Sequence, residues 1–214
     1  MEDVLAVYER PYDSNRPVVC VDEKLKELHD TPRGELSLAK GKPTRQDYEW
    51  QRNGSCNIFM AVEPLAGSRH VTVTERHTST DFAHQLRYLI EDCYPEVERV
   101  ILITDNLSTH HAGCLYEVFE PERAFAISQK IEWHYTPEHA SWLNMAEIEL
   151  SVIGKQCLAR RMPTKAEVDK HVKAWTNDRN NQKARIDWQF TAADARIKLK
   201  RLYPKTIKSN LTDH

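Results

Sequence analysis

A chain of 214 residues, 40% hydrophobic and 29% charged, has the length and composition of one good-sized globular domain with at most a small appendage. No run of about 18 apolar residues occurs, which excludes a spanning apolar helix, and Met1-Glu2-Asp3 opens without the apolar core of a secretory signal. The net charge of −2 excludes a uniformly basic nucleic-acid binder, yet it averages two unlike parts: from Lys155 onward 15 Lys and Arg face 6 Asp and Glu, whereas the preceding part holds 15 against 26. An acidic core with a basic tail region suits a metal-dependent enzyme acting on a polyanion, and equally a solvated helical surface that happens to be basic. Cys20, Cys56, Cys93, Cys114 and Cys157 are odd in number, scattered and without a CxxC pair. That pattern argues for reduced thiols in a cytoplasmic protein, not for a disulfide scaffold or a zinc site.

Along the chain, residues 1–16, with Pro11 and Asn15, read as an N-terminal arm. Pro17-Val-Val-Cys-Val-Asp22 is a short β-branched run ending on an acid and reads as a buried strand. From Glu23 to Ser55 the chain is polar and punctuated by Pro and Gly, which predicts loop. Two strands follow, Asn57–Val62 and the alternating His70–Thr74, joined by a turn at Pro64-Leu-Ala-Gly67. Phe82, Leu86, Leu89, Ile90 and Cys93 recur at helical spacing, behind Ser79 or Thr80 as N-cap and ahead of Pro95. Val100-Ile-Leu-Ile-Thr-Asp105 is a continuous apolar strand that again ends on aspartate, as expected at the centre of a mixed sheet. Leu115–Ile127 reads as a helix broken at Pro121, and Ile131–Tyr135 as the fifth strand. A helix over about Trp142–Leu158 comes next. Thr164-Lys-Ala-Glu167 is a capping box that opens another helix, and Thr191-Ala-Ala-Asp194 starts a last basic helix ending near Tyr203-Pro204. The order is βββαβαβα plus C-terminal helices: an α/β fold with a five-stranded mixed sheet and helices on both faces.

Two of the predicted strands end on a carboxylate, Asp22 and Asp105, at the sheet edge where sites gather in α/β folds. Paired carboxylates at a buried edge repel, and a divalent cation turns that cost into a binding site; oxygen-only ligands suit Mg²⁺ or Mn²⁺. Either aspartate alone reads equally as a turn residue. A third carboxylate is available on the helix after the fifth strand, where Leu143, Ala146, Leu150, Ile153 and Cys157 form the buried arc. Glu147 lies with Asn144, Ser151 and Lys155 on one edge of that arc. Glu149 lies about 200° away on the other edge. Periodicity leaves the choice between them open.

The chain resembles the IS630 group of bacterial insertion-sequence transposases, within the wider IS630/Tc1/mariner superfamily. The resemblance is carried by Val18-Val-Cys-Val-Asp-Glu-Lys24, by Asp105-Asn106 with Thr109-His110, and by His134-Tyr-Thr-Pro137 leading into Ser141-Trp-Leu-Asn-Met-Ala-Glu147. Gly41-Lys-Pro43, Asp47-Tyr48, Arg52-Asn-Gly54 and Ala192–Tyr203 follow the same pattern. It implies an RNase H-like catalytic domain over residues 17–204, followed by a tail at 205–214, with an Asp22, Asp105, Glu147 triad. The second-to-third spacing is 42 positions. The glutamate three residues after the asparagine of the WLN motif is the one the family uses, which selects Glu147. Two Mg²⁺ (or Mn²⁺) ions on such a triad would activate a water and stabilise the leaving oxygen of a phosphodiester, first freeing a 3′-hydroxyl and then joining it to target DNA. Lys24, Asn106, His110 and Asn144 are candidate DNA contacts or hydrogen-bonding supports for the acids. Implied partners are double-stranded transposon ends and target DNA, a second copy of the chain, and an upstream helix-turn-helix product of the same element. The setting would be the bacterial cytoplasm, on the nucleoid. A remnant that binds DNA or a transposase partner without catalysis, and a structure-selective nuclease of the same fold, are the alternative readings.

Overall fold

The structure, a computed structural model, describes residues 1–31 and 49–203. Gly41-Lys-Pro43, Asp47-Tyr48 and the tail at 205–214 lie outside the described residues. Five strands, β1 (Val18–Asp30), β2 (Gln51–Glu63), β3 (Ser68–Thr74), β4 (Val100–Thr104) and β5 (Ile131–Tyr135), form one mixed sheet in the order β3-β2-β1-β4-β5. The β1–β4 and β4–β5 pairs are parallel, and β2 pairs antiparallel with both β1 and β3. β4 is buried along its whole length, as its unbroken apolar run requires of a strand covered on both faces.

Strand alternation divides the apolar residues between two cores. Cys20, Ile58, Met60, Ile101 and Ile103 face one side of the sheet, against Leu143 and against Ala146, Leu150 and Ile153 of α5 (Met145–Gln156). Val19, Val21, Phe59, Val100 and Leu102 face the other, against Phe82 and Leu86 of α2 (Ser79–Arg87) and residues of α3 (Gly113–Val118) and α4 (Pro121–Gln129). α6 (Lys165–Asn181) and α7 (Ala192–Lys198) complete the first side. Helices on both faces of a five-stranded mixed sheet are the predicted RNase H-like arrangement. No helix among the described residues is long and apolar enough to cross a membrane.

Four local expectations need correction. The stretch expected as an arm contains α1 (Glu2–Tyr8), which buries Val4, Leu5 and Val7 in the first core. Residues 23–30 and 51–55, expected as loop, form a two-stranded ribbon with Cys56 that carries β1 and β2 beyond the sheet. The ribbon buries only a few apolar side chains, Leu28 and Cys56 among them, so its sequence shows no sustained hydrophobic alternation; Arg52 and Glu27 pair across it at 2.9 Å, and Lys26 donates to the Leu158 carbonyl at 2.8 Å. α2 is capped by Thr78, one residue before the expected caps, in a reciprocal box with Asp81. α5 starts at Met145 behind Asn144, because Ser141–Leu143 forms a separate 3₁₀ turn. The break at Pro121 and the N-caps at Thr164 and Thr191 are as predicted, although the reciprocal box is made at Thr191 with Asp194, and at Thr164 the hydroxyl accepts from the Glu167 N–H without the expected return bond.

The first core is crossed by one buried ion-pair network. Arg69 of β3, fully buried, donates from Nε and Nη2 to the two carboxylate oxygens of Glu149 on α5, at 2.7 and 2.9 Å. Arg179 of α6 adds a third contact at 2.7 Å. Asn180 completes the tie: its side-chain amide accepts from the Arg69 N–H at 2.8 Å and donates to the Arg69 carbonyl at 2.9 Å, as a neighbouring strand would. Burial alone would raise the Glu149 pKa, but the bonds from Arg69 and Arg179 overturn that and hold it below the usual carboxylate range. Removing one partner of such a pair strands a buried charge. Arg69→Met is therefore expected to destabilise the fold by about 3–5 kcal/mol in urea unfolding, while Glu147→Gln, two residues from Glu149 on the exposed edge of α5, stays within about 0.5 kcal/mol. Equal effects of the two would sink this account.

Candidate active site

β1 and β4 pair from Val18–Ile101 to Cys20–Ile103. Two residues past each member of that last pair stand Asp22 and Asp105. The constant offset of a parallel ladder thus carries the two acids to matching positions, and the two-residue step returns both to the α5 side of the sheet. The sequence placed Asp22 at a strand end. β1 in fact continues to Asp30, and what ends after Cys20 is its pairing with β4. The crevice where two parallel strands part is the ligand-binding position of α/β sheets.

Asn144 fills the opened edge. Its side-chain Nδ2 donates to the Val21 carbonyl at 2.9 Å and lies 3.4 Å from Asp22 Oδ2, while its Oδ1 accepts the Ala146 N–H at 3.1 Å as the α5 N-cap. One fully buried amide therefore ties the start of α5 to the backbone beside Asp22. Behind it, Tyr8 of α1 donates to the Leu143 carbonyl at 2.6 Å. Glu147 follows as the third residue of α5, exposed, in the first turn where a carboxylate is favoured by the helix dipole. Glu149 points away into the Arg69–Arg179 network.

Asp22 is only 8% exposed, and its pKa is pushed up to about 7. Burial is the main cause; the Glu23 N–H, which donates to Oδ1 at 2.8 Å, partly offsets it, and the charges of Glu147, Glu23 and Asp105 add to it. Asp105, half-buried, takes a short hydrogen bond from His110 Nδ1. His110 is 2% exposed, stacks on Phe82 at 4.2 Å between ring centroids, and has Thr104 Oγ1 3.3 Å from Nδ1. Its other nitrogen, Nε2, lies 3.3 Å from Glu23 Oε2. Burial would depress this imidazole, but the carboxylates of Asp105 and Glu23, which face its two nitrogens, raise its pKa to about 9. Lys24 and Asn106 are exposed. Lys24 lies on the α5 side, where a Cβ at Gly154 would meet its Cε at 3.8 Å. A cleft of about 370 Å³ opens beside Asp105, lined by Asn106, Leu107, Thr136, Pro137, Glu138, His139 and Ser141.

Of the predicted residues, then, Asp22, Asp105, Glu147 and Asn144 share one strand crevice, and His110 supports Asp105 from the other side of the sheet. The burial of His110 and Asn144 suits hydrogen-bonding supports, not DNA contacts. Among the described residues no three His, Cys, Asp or Glu side chains close around a common point tightly enough to enclose a metal ion. The donor chemistry nevertheless fits a hard divalent cation: the acids at the crevice offer oxygen ligands only, and no Lys or Arg among the described residues pairs with Asp22 to relieve its burial. Glu23 went unrecognised in the sequence. Its signal was the alternation Val19, Val21, Glu23, which puts a carboxylate on an apolar face.

Residues 17–169 match the family described as DDE superfamily endonuclease. No curated protein matches the chain. Solved structures that resemble it include the Mos1 mariner paired end complex with Mn, at 18% identity and TM-score 0.55, covering 85% of this chain and 56% of that one. The Mos1 strand transfer complex follows at 16% identity and TM-score 0.57, covering 85% and 54%. The Mos1 paired end complex with Mg has 16% identity and TM-score 0.51, covering 85% and 58%. At these identities the likeness is one of fold, and it agrees with the RNase H-like expectation. The chain spans a little over half the length of these structures.

The raised Asp22 pKa has a direct consequence for stability. A carboxyl that binds its proton more tightly when folded stabilises the fold fully below its unfolded pKa, and that contribution is lost as pH rises through the folded value. With the pKa moving from 3.8 to about 7, the loss at pH 8 is up to about 4 kcal/mol. In chelator, Asp22→Asn is therefore expected to be more stable than the parent at pH 8, by about 2–4 kcal/mol, with the gap closing toward pH 4. Urea unfolding across this range checks it, and a pH-independent difference would contradict it.

Proposed function

The chain belongs to the DDE superfamily endonuclease family, and from that premise we propose that it is the catalytic domain of a cut-and-paste DNA transposase of the IS630 type. The observation that carries this reading is the matched position of Asp22 and Asp105 past the end of the β1–β4 ladder, with Glu147 in the α5 turn that Asn144 ties to the same edge. These three carboxylates would hold Mg²⁺ or Mn²⁺, as two ions. When bound, the ions supply Lewis-acid activation of the attacking oxygen and charge stabilisation at the leaving oxygen. That the resembling Mos1 complexes include ones with Mn and with Mg supports the choice of ion.

The chain's own contribution is placement. Asp22 is held by the Glu23 N–H, with the Asn144 amide alongside. Asp105 is held by His110, and Glu147 by the rotation of α5. In-line attack on a phosphodiester needs no protein nucleophile, so the buried Cys20 takes no part. Exposed Lys24 and Asn106, together with the basic surface that begins at Lys155, would track DNA phosphates, with the salt dependence such contacts bring. The Mos1 paired end and strand transfer complexes support transposon ends as substrates; double-stranded target DNA, a second copy of the chain and the bacterial nucleoid are drawn from the IS630 resemblance alone. The catalytic unit would occupy residues 17–204, with terminal-repeat readout by a helix-turn-helix product of the same element.

The test is Mg²⁺- or Mn²⁺-dependent cleavage of the element's own end DNA, supplied with the upstream reading frame's product. Asp22→Asn, Asp105→Asn and Glu147→Gln should each lower the rate at least about 100-fold, since each removes several kcal/mol of charge stabilisation. Cleavage retained in all three would overturn the proposal. Metal binding without cleavage would indicate a non-catalytic DNA-binding role, and preference for junctions or RNA–DNA hybrids a structure-selective nuclease.

A further inference from the structure

Glu23 sits where a packing argument would place an aliphatic residue. It follows Val19 and Val21 on the face of β1 turned away from Asp22, and it pairs across the ladder with Phe59 of the second core. Its side chain is 10% exposed, and Oε2 is buried without a well-aligned hydrogen bond, facing His110 Nε2 at 3.3 Å. A carboxylate held in apolar surroundings without full hydrogen bonding costs stability that a leucine would not.

The ring it faces cannot turn freely. Phe82 stacks on it, Thr104 sits at its Nδ1, and that same nitrogen holds Asp105. Each ring nitrogen thus faces one carboxylate, Glu23 at the core end and Asp105 at the crevice end. The three residues form a continuous line from the buried face of β1, past the sheet edge, to an acid on the opposite side. Outer partners of this kind orient the groups that meet a cation.

We propose that Glu23 is a positioning residue for Asp105: it fixes the His110 ring, and through the ring the direction in which the Asp105 carboxylate is presented to a divalent cation. Glu23 touches neither cation nor DNA. The inference rests on the reading of Asp105 as a cation-holding carboxylate given above. It assigns Glu23 a purpose distinct from that of its neighbour Asp22, although one backbone step separates them.

The experiment is Mn²⁺ binding to the full chain, followed by electron paramagnetic resonance of the free ion, with thermal unfolding of each variant alongside. Glu23→Leu should weaken Mn²⁺ binding about 10–100-fold while melting at or above the parent's temperature. Glu23→Gln keeps an acceptor for His110 Nε2 and should fall between the two. In a His110→Gln background, adding Glu23→Leu should produce no further loss, because the effect passes through the ring. Parent-like Mn²⁺ affinity in Glu23→Leu, with Asp105→Asn still weakened, overturns the positioning role and leaves the proposed function standing. Full additivity of the Glu23 and His110 effects overturns it as well. If the parent shows no Mn²⁺ binding that Asp105→Asn weakens, the functional reading fails, and this inference falls with it.

Discussion

How α5 is turned about its own axis decides which of its glutamates reaches the strand crevice, and the Arg69–Glu149–Arg179 network fixes that turn. Residues two positions apart on a helix lie about 200° apart around the axis, so a Glu149 locked inward between β3 and α6 leaves Glu147 outward at the other edge. The lock is bidentate and fully buried on the Arg69 side, a geometry that tolerates little rotation. A helix held only by Leu150, Ile153 and their neighbours could slide or rotate at small cost, because apolar contacts are non-directional. A charged network far from the crevice is therefore what aims the acid at it.

The crevice itself works against folding. Asp22 is buried close to three other carboxylates and lacks a basic partner, so near neutral pH its charge is a burden that the apolar cores must offset. Glu149 shows the contrast: it is more deeply buried, yet its charge is favoured because two guanidiniums surround it. The same chemical group, a carboxylate, is neutralised from inside the protein at Glu149 and has no basic partner at Asp22. That difference separates an acid that serves structure from the acids proposed above to hold a cation.

What could be read from the sequence follows this division. Asp22 and Asp105 were legible because each ends an apolar run, and strand alternation then dictates where the side chain goes. Glu147 and Glu149 were not separable by periodicity, since both flank the buried arc of α5. The partner that distinguishes them, Arg69, lies 80 residues away in a strand whose alternation marked only its apolar members. The polar ribbon formed by residues 23–30 and 51–56 showed no sustained hydrophobic pattern, because it gives the first core only isolated residues such as Leu28 and Cys56. α1 was hidden for a different reason: seven residues give barely two turns of periodicity, and only docking against α7 and the first core makes them helical.

The parting of β1 from β4 links these observations. A parallel pair that ends at Cys20–Ile103 leaves the Val21 carbonyl without a strand partner, and an unpaired carbonyl at a buried edge is costly. Asn144 supplies the missing donor and, in the same act, caps α5 and stands beside Asp22. Glycine or alanine there would leave the Val21 carbonyl, the Ala146 N–H and one side of Asp22 unsatisfied together. The backbone gap where the two strands part is thus closed by a side chain that also sets where α5 begins, and Glu147 with it. Crevice, cap and carboxylate are one arrangement, so the site's geometry depends on the sheet's topology more than on any loop around it.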